Sequence, residues 1–94
     1  MHVVALEVEL RIPGSHSLKD RRQVVRSVLD GARQRFGVSA AEVGGQDTWQ
    51  RATLGFAVVS SEVRLAEDVV DAIDRFLWGR PEIEVVRADT RWLD

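Results

Sequence analysis

The sequence predicts an α+β domain in which a four-stranded antiparallel sheet carries both helices on one face. Short runs of alternating apolar and polar residues are typical of half-buried strands, and two longer segments repeat at helical spacing. The runs occur in the order β-α-β-β-α-β, and right-handed crossovers of this length bring the two helices together. With 94 residues and no linker, the chain is expected to fold as a single domain over residues 1–94.

The first strand is followed by a sharp turn and the first helix. Apolar residues alternate along the strand at Val4, Leu6, Val8, Leu10 and Ile12. Pro13 and Gly14 end it, because proline lacks a donor for the ladder and glycine permits a turn. Ser17 is a good helix N-cap, and Asp20 stands where a capping box places an acid. A helical repeat then covers residues 18–36.

The remaining elements complete the order. Residues 38–43 predict a short strand that ends at two glycines, and a polar loop over residues 44–51 leads into a third strand over about residues 51–59. A second helix is expected to extend to about residue 78, and a last strand covers about residues 82–92. This is the ferredoxin-like βαββαβ sandwich, in which strands 1 and 3 are central and strands 2 and 4 are edges.

Composition excludes several classes of function. The sequence has no cysteine, which excludes a disulfide framework and a thiolate metal site. With two histidines and no evident pair of carboxylates, we expect no metal, no cofactor and no catalytic residue. The first residues lack the pattern of a signal peptide and no apolar run approaches about 20 residues, so we expect a cytoplasmic protein without membrane contact. The net charge of −2 gives no global attraction to nucleic acid, so a charged partner must be recognised locally.

Positive charge is concentrated on the first helix. Residues 18–36 carry six basic and two acidic side chains, whereas residues 61–78 carry two basic and five acidic ones. Hydroxyls, backbone N–H groups and cations at a helix start can bind a phosphate, and a row of cations can follow a phosphate backbone. The alternative is a capped helix with a solvated basic face, in which Asp30 pairs with Arg26 and Arg33. The candidate residues for binding RNA or an anion are Ser15, His16, Ser17, Lys19, Arg21, Arg22, Arg26 and Arg33.

The loop over residues 44–51 is a second candidate. Its side chains Gln46, Asp47, Trp49 and Arg51 suit an interaction loop in which Trp49 is the anchor. In the alternative interpretation, Trp49 closes the end of the core and Asp47 makes an Asx turn.

The sheet face opposite the helices is expected to be apolar near its middle. A flat apolar face is a liability in water, which favours a homodimer formed through this face or through an edge strand. The alternative is a modest exposed patch. Strands 1 and 3 place no aromatic residue on this face, which argues against the base stacking of an RNA-recognition motif. The apolar residues assigned to it are Val3, Ala5, Gly55, Ala57, Val59, Val86, Ala88 and Trp92.

Three segments of the chain carry a resemblance. They read ELRIPGSHSLKDRR (residues 9–22), AEVGGQDTWQRA (residues 41–52) and LGFAVVS (residues 54–60). Together they resemble the YlxP-like family, a bacterial domain of unknown function. The resemblance implies a ferredoxin-like fold, a cytoplasmic bacterial protein, and a gene that often lies beside those for translation initiation and ribosome maturation factors. It implies no catalytic or ligand residue.

These observations lead to one primary hypothesis and two alternatives. The primary hypothesis is a non-catalytic module that acts in translation or ribosome maturation and binds RNA or a ribosomal surface through the basic first helix. The first alternative is a homodimeric protein-interaction module that uses the open sheet face and the loop over residues 44–51. The second is an enzyme that binds a phosphate ester or a nucleotide at residues 15–22.

Overall fold

The computed structural model describes residues 1–45 and 48–93 and confirms the predicted order of elements. The strands and helices are β1 (His2–Arg11), α1 (Leu18–Phe36), β2 (Ser39–Gly44), β3 (Arg51–Ser60), α2 (Val63–Trp78) and β4 (Glu84–Trp92). No helix in these two ranges is long and apolar enough to cross a bilayer.

The four strands form one antiparallel sheet in the order β2-β3-β1-β4. The predicted centre and edges are therefore confirmed, and the fold is ferredoxin-like. β1 and β3 pair without interruption from His2 opposite Ser60 to Arg11 opposite Arg51. This register places the alternating apolar residues of both central strands on the same face of the sheet.

The core lies between that face and the two helices. β1 and β3 contribute alternating buried residues, and α1 and α2 each contribute a stripe at helical spacing. Burying each large apolar side chain stabilises the fold by about 1.5–3 kcal/mol. The buried apolar residues of the two helices are Val25, Val28, Leu29, Ala32, Ala66, Ile73 and Leu77.

The two helices approach closely around Phe76. A Cβ atom at Gly31 would lie 2.9 Å from Cζ of Phe76, so only glycine fits there without a shift. The Phe76 ring packs edge-on against Phe36, and the guanidinium groups of Arg35 and Arg80 lie 5.2 and 5.4 Å from its centroid. The flank of α1 that faces α2 is thereby filled.

A β-bulge in β4 changes which of its residues lie on the open face of the sheet. The pairing of β1 with β4 shifts between Glu9 and Leu10, because Val86 is an extra residue in β4. One extra residue reverses the side on which every following residue lies. Ala88 and Trp92 therefore lie on the helix face, opposite Val8 and Val4, and assigning them to the open face was wrong. The open face of β4 is instead formed by Arg87, Asp89 and Arg91.

Candidate binding surface at the start of the first helix

The start of α1 is capped by its own side chains. Ser17 has an extended backbone (φ −159°), and its Oγ accepts a hydrogen bond of 3.1 Å from the backbone N–H of Asp20. In return, Oδ2 of Asp20 accepts one of 3.2 Å from the N–H of His16. Ser15 is buried, and its hydroxyl donates to the carbonyl of Ser17. A carboxylate thus already occupies a backbone donor that an incoming anion would use.

Among the basic side chains of α1, Arg21 makes the most hydrogen bonds, and it is buried. It is 2% exposed, and its guanidinium forms an ion pair with Glu42 on β2. Its Nε donates to the carbonyl of Arg51 (2.9 Å), and its Nη2 donates to the carbonyl of Gly45 (2.7 Å). Because every contact is internal, Arg21 does not lie on the surface with the other predicted RNA-binding residues.

The contacts of Arg21 hold both ends of the loop over residues 44–51. Gly45 has φ of +78°, and its carbonyl also accepts hydrogen bonds from the backbone N–H and the hydroxyl of Thr48. A Cβ atom at Gly45 would lie 3.3 Å from Cα of Ala52, so glycine is required by conformation and by space. Two of the predicted interaction residues, Gln46 and Asp47, lie outside the described residues.

Gln50 joins this loop to the turn before α1. Its side-chain amide donates to the backbone carbonyls of Ser15 (3.2 Å) and Pro13 (3.4 Å). The backbone carbonyl of Gln50 accepts a hydrogen bond from the N–H of Ile12 (2.8 Å). Two of the segments that carry the family resemblance, residues 9–22 and 41–52, are therefore in direct contact. Sequence reasoning missed the roles of Gln50 and Glu42.

A signal for the burial of Arg21 was present in the sequence. Arg21 precedes the buried residues Val25 and Val28 by four and seven positions, so it lies on the apolar stripe of α1. Glu42 lies two residues after the buried Ala40 and shares its face of β2. An arginine on an apolar stripe and an acid on the inner face of a strand indicate a buried ion pair.

Three exposed cations of α1 contact no acidic or aromatic side chain among the described residues and define what we call the basic flank: Lys19, Arg22 and Arg26. All three are exposed, and none has an ion pair with another described residue. They stand at positions i, i+3 and i+7, which places them on one side of the helix over about 10 Å of its length.

The other two predicted cations are engaged elsewhere. Arg33 forms an ion pair of 3.1 Å with Asp30 and donates to the carbonyl of Ala40 on the edge strand β2. The predicted pairing of Asp30 with Arg33 is confirmed, whereas an ion pair with Arg26 is absent among the described residues. Arg51 pairs with Glu9 (3.2 Å) on the open face of the sheet.

The basic flank points away from the acidic helix α2. Arg33, which shares its side of α1, reaches β2, whereas Ser27 and Gly31 on the opposite side meet Arg80 and Phe76. No ion pair joins the basic flank to α2 within the described ranges. The positive charge is consequently not neutralised by the neighbouring helix.

Trp49 and His16 are exposed near the same end of the molecule. Trp49 is 55% exposed, so it does not close the end of the core. Its neighbour Gln50 contacts the turn that contains Ser15, which places the Trp49 loop beside the start of α1. An exposed tryptophan on an anchored loop suits contact with a partner.

Comparison with known proteins gives the fold and a family. A designed protein with a ferredoxin fold, LFR1 1, aligns over 98% of this chain and 83% of its own length, with a TM-score of 0.53 and 14% identity. A REP-associated tyrosine transposase bound to a REP hairpin aligns over 99% of this chain and 56% of its own, with a TM-score of 0.45 and 13% identity. The first likeness supports the fold, and the second is too weak to support an inference.

The sequence comparisons agree with the resemblance described above. Uncharacterized protein YlxP of Bacillus subtilis (strain 168) is 38% identical over 86 residues, which cover 92% of this chain and 94% of the relative. A family model described as "Protein of unknown function (DUF503)" matches residues 3–90. The chain therefore belongs to the DUF503 family, whose members share this domain and whose function is unknown.

Proposed function

We propose that this protein is a non-catalytic module that binds structured RNA through the basic flank of α1. The observation that carries the proposal is the set of three exposed cations, Lys19, Arg22 and Arg26, which have no ion pair among the described residues although the chain has a net charge of −2. Unpaired cations along one side of a helix fit the regular negative charge of a nucleic-acid backbone.

The length of the basic flank suits more than one phosphate. Lys19 and Arg26 are separated by about 10 Å along the helix axis, and a nucleic-acid strand presents a phosphate about every 3.4 Å of its axis. Binding of this kind is driven by counterion release, so the logarithm of the affinity should fall linearly with the logarithm of the salt concentration. With three contacts, the expected slope is about −2 to −3.

Trp49, in the loop over residues 44–51, could supply a second type of contact with RNA. An exposed aromatic ring can stack on an unpaired base, which is a common mode of RNA recognition. Arg21 contacts Gly45 and Gln50 contacts Ser15, so Trp49 belongs to a segment whose described ends lie beside the start of α1. The preferred RNA would then present a stem beside an unpaired nucleotide.

The alternative of a phosphate-ester or nucleotide-binding enzyme at residues 15–22 has less support. The hydroxyl of Ser15 is buried and donates to Ser17, and the carboxylate of Asp20 lies at the helix start. A bound phosphate would have to displace that carboxylate from the N–H of His16. Electrostatic repulsion between the two anions opposes such binding.

Charge reversal with a matched control tests the proposal. The R22E/R26E variant should bind bacterial ribosomal RNA at least about 100-fold more weakly than the natural chain near 0.1 M salt, since each phosphate contact contributes about tenfold there. The R64E/R75E variant makes the same change in net charge on exposed residues of α2 and should lose far less affinity.

Filter binding or fluorescence anisotropy with labelled ribosomal RNA measures both affinities. A natural chain that does not bind RNA, or equal losses in the two variants, would overturn the proposal. Capture of a ribosomal protein by an RNA-free sample would instead indicate a protein partner.

A further inference from the structure

The face of the sheet opposite the helices has a shallow apolar groove. The groove has a volume of about 290 Å³, and small side chains from the three strands β1, β2 and β3 form its floor. Val43 and Val59 are 52% and 64% exposed on this face, which leaves two large apolar side chains in contact with water. The residues that line its middle are Ala5, Ala41, Gly55 and Ala57.

Glycine at position 55 keeps the groove open. A Cβ atom there would lie 3.1 Å from Cγ1 of Val43, so the valine side chain rests directly on the bare backbone of β3. Opposite Gly55 on β1 stands Glu7, a carboxylate at the rim of the groove. The surface therefore combines a flat apolar floor with one charged group at its edge.

Most charges of this face pair internally. Arg51 pairs with Glu9 at 3.2 Å, Arg87 with Asp89 at 2.9 Å, and Arg11 with Glu84 at 3.7 Å. Two charged side chains on this face have no hydrogen bond or ion pair with any described residue, and they have opposite signs: Glu7 and Arg91. Both line one shallow depression beside Ala5.

The register makes the position of Glu7 unfavourable in an isolated chain. Glu7 lies directly opposite Asp89 across β1 and β4, and like charges in that arrangement destabilise a sheet; the nearby cation Arg87 is already paired with Asp89 and offsets this only in part. Arg91 lies opposite Ala5, two residues along β1 from Glu7. A cation supplied from outside would relieve the repulsion at Glu7, and an anion would match Arg91.

We propose that the open face binds the same face of a second copy of this chain, with Glu7 of each copy paired with Arg91 of the other. A two-fold interface brings one surface patch against itself, so its charges must be self-complementary. An electrically balanced face whose two unpaired groups are equal and opposite meets this requirement, whereas a partner of one charge would satisfy only one of them. This surface lies on the opposite side of the sheet from α1, so the inference does not depend on RNA binding.

The oligomeric state measured over a range of concentration tests this interface. Sedimentation or light scattering should show a dimer for the natural chain. The single variants E7R and R91E should weaken the dimer at least about tenfold, because each places like charges against each other across the interface. The double variant E7R/R91E restores opposite charges and should recover the dimer.

The control variant R64E changes an exposed charge on α2 and should dimerise as the natural chain does. A natural chain that stays monomeric at every concentration overturns the proposal, as does a double variant no better than either single one. Amide signals of Ala5, Gly55 and Ala57 in the natural chain should shift with concentration, which tests the same face without any substitution. Unchanged signals in a sample that dimerises would show that the copies meet elsewhere.

Discussion

Arg21 and Arg22 are adjacent and chemically identical, yet they belong to two different regions of the molecule. Arg21 is 2% exposed and joins α1 to Glu42, Gly45 and Arg51. Arg22 points outward and belongs to the basic flank. A helix turns by about 100° per residue, so two neighbouring residues can differ in orientation enough for one to form a buried ion pair and the next to lie on the surface. The side chains of a basic segment therefore have to be separated into buried and exposed ones before a function is assigned to them.

The largest expected effect is the removal of Arg21. The R21A variant leaves the carboxylate of Glu42 partly buried without its partner, and should lower the free energy of unfolding by about 3 kcal/mol. The R22A variant should change it by less than about 0.5 kcal/mol, because Arg22 is exposed and no hydrogen bond or ion pair with another described residue is lost. Urea denaturation followed by circular dichroism measures both. Equal free energies of unfolding for R21A and R22A would show that the contacts of Arg21 do not stabilise the fold.

A second variant separates the effect of the unpaired Glu42 carboxylate from the effect of the packing lost with the Arg21 side chain. Replacing both partners, as in R21M/E42L, removes the ion pair without leaving a buried charge, and should recover part of the stability lost in R21A. A double variant that is less stable than R21A would contradict the interpretation that an unpaired carboxylate causes the loss.

A smaller effect is expected at the start of the loop. G45A should destabilise the protein by about 1–2 kcal/mol, because residue 45 has a positive φ and a Cβ atom would lie 3.3 Å from the backbone of Ala52. G14A is the matched control, since a Cβ atom at Gly14 would meet nothing within 4 Å. Thermal unfolding of the two variants compares them, and similar losses would argue against a constrained loop.

The smallest effect is expected at the contact between residues 9–22 and residues 41–52, which Gln50 makes. Q50A removes the hydrogen bonds to the carbonyls of Ser15 and Pro13, and should lower the free energy of unfolding by about 1 kcal/mol. Q23A, on the exposed side of α1, should have little effect. Amide hydrogen exchange at Ser15 should also accelerate in Q50A, and unchanged exchange would mean that the segments are held together by other contacts.

The sequence was sufficient for the fold because its signals are local. Alternation along β1 and β3, the Ser17 cap and the helical stripes each depend on neighbouring residues, and all of them agree with the structure. The prediction of the residues on the open sheet face was partly wrong. The bulge at Val86 depends on how β4 pairs with β1, and no local sequence pattern reveals that pairing.

The candidate site was harder to predict than the fold. Helical spacing alone places Lys19, Arg22, Arg26 and Arg33 on one side of α1, but it does not reveal that Arg33 donates to the carbonyl of Ala40 on β2. The burial of Arg21 depends on Glu42 and Gly45, which are more than 20 residues away in the chain, and the exposure of Trp49 depends on how Gln50 anchors its loop. Contacts between distant segments decide which polar residues stay available to a partner.

The salt dependence of RNA binding by the natural chain and by R22A tests the central claim most directly. Arg22 belongs to the basic flank and has no hydrogen bond or ion pair with another described residue. The R22A variant should therefore unfold at the same urea concentration as the natural chain. Its plot of log affinity against log salt should be shallower by about one unit, which corresponds to one lost phosphate contact. An unchanged slope, or no measurable RNA binding by the natural chain, would contradict the assignment of the basic flank to RNA.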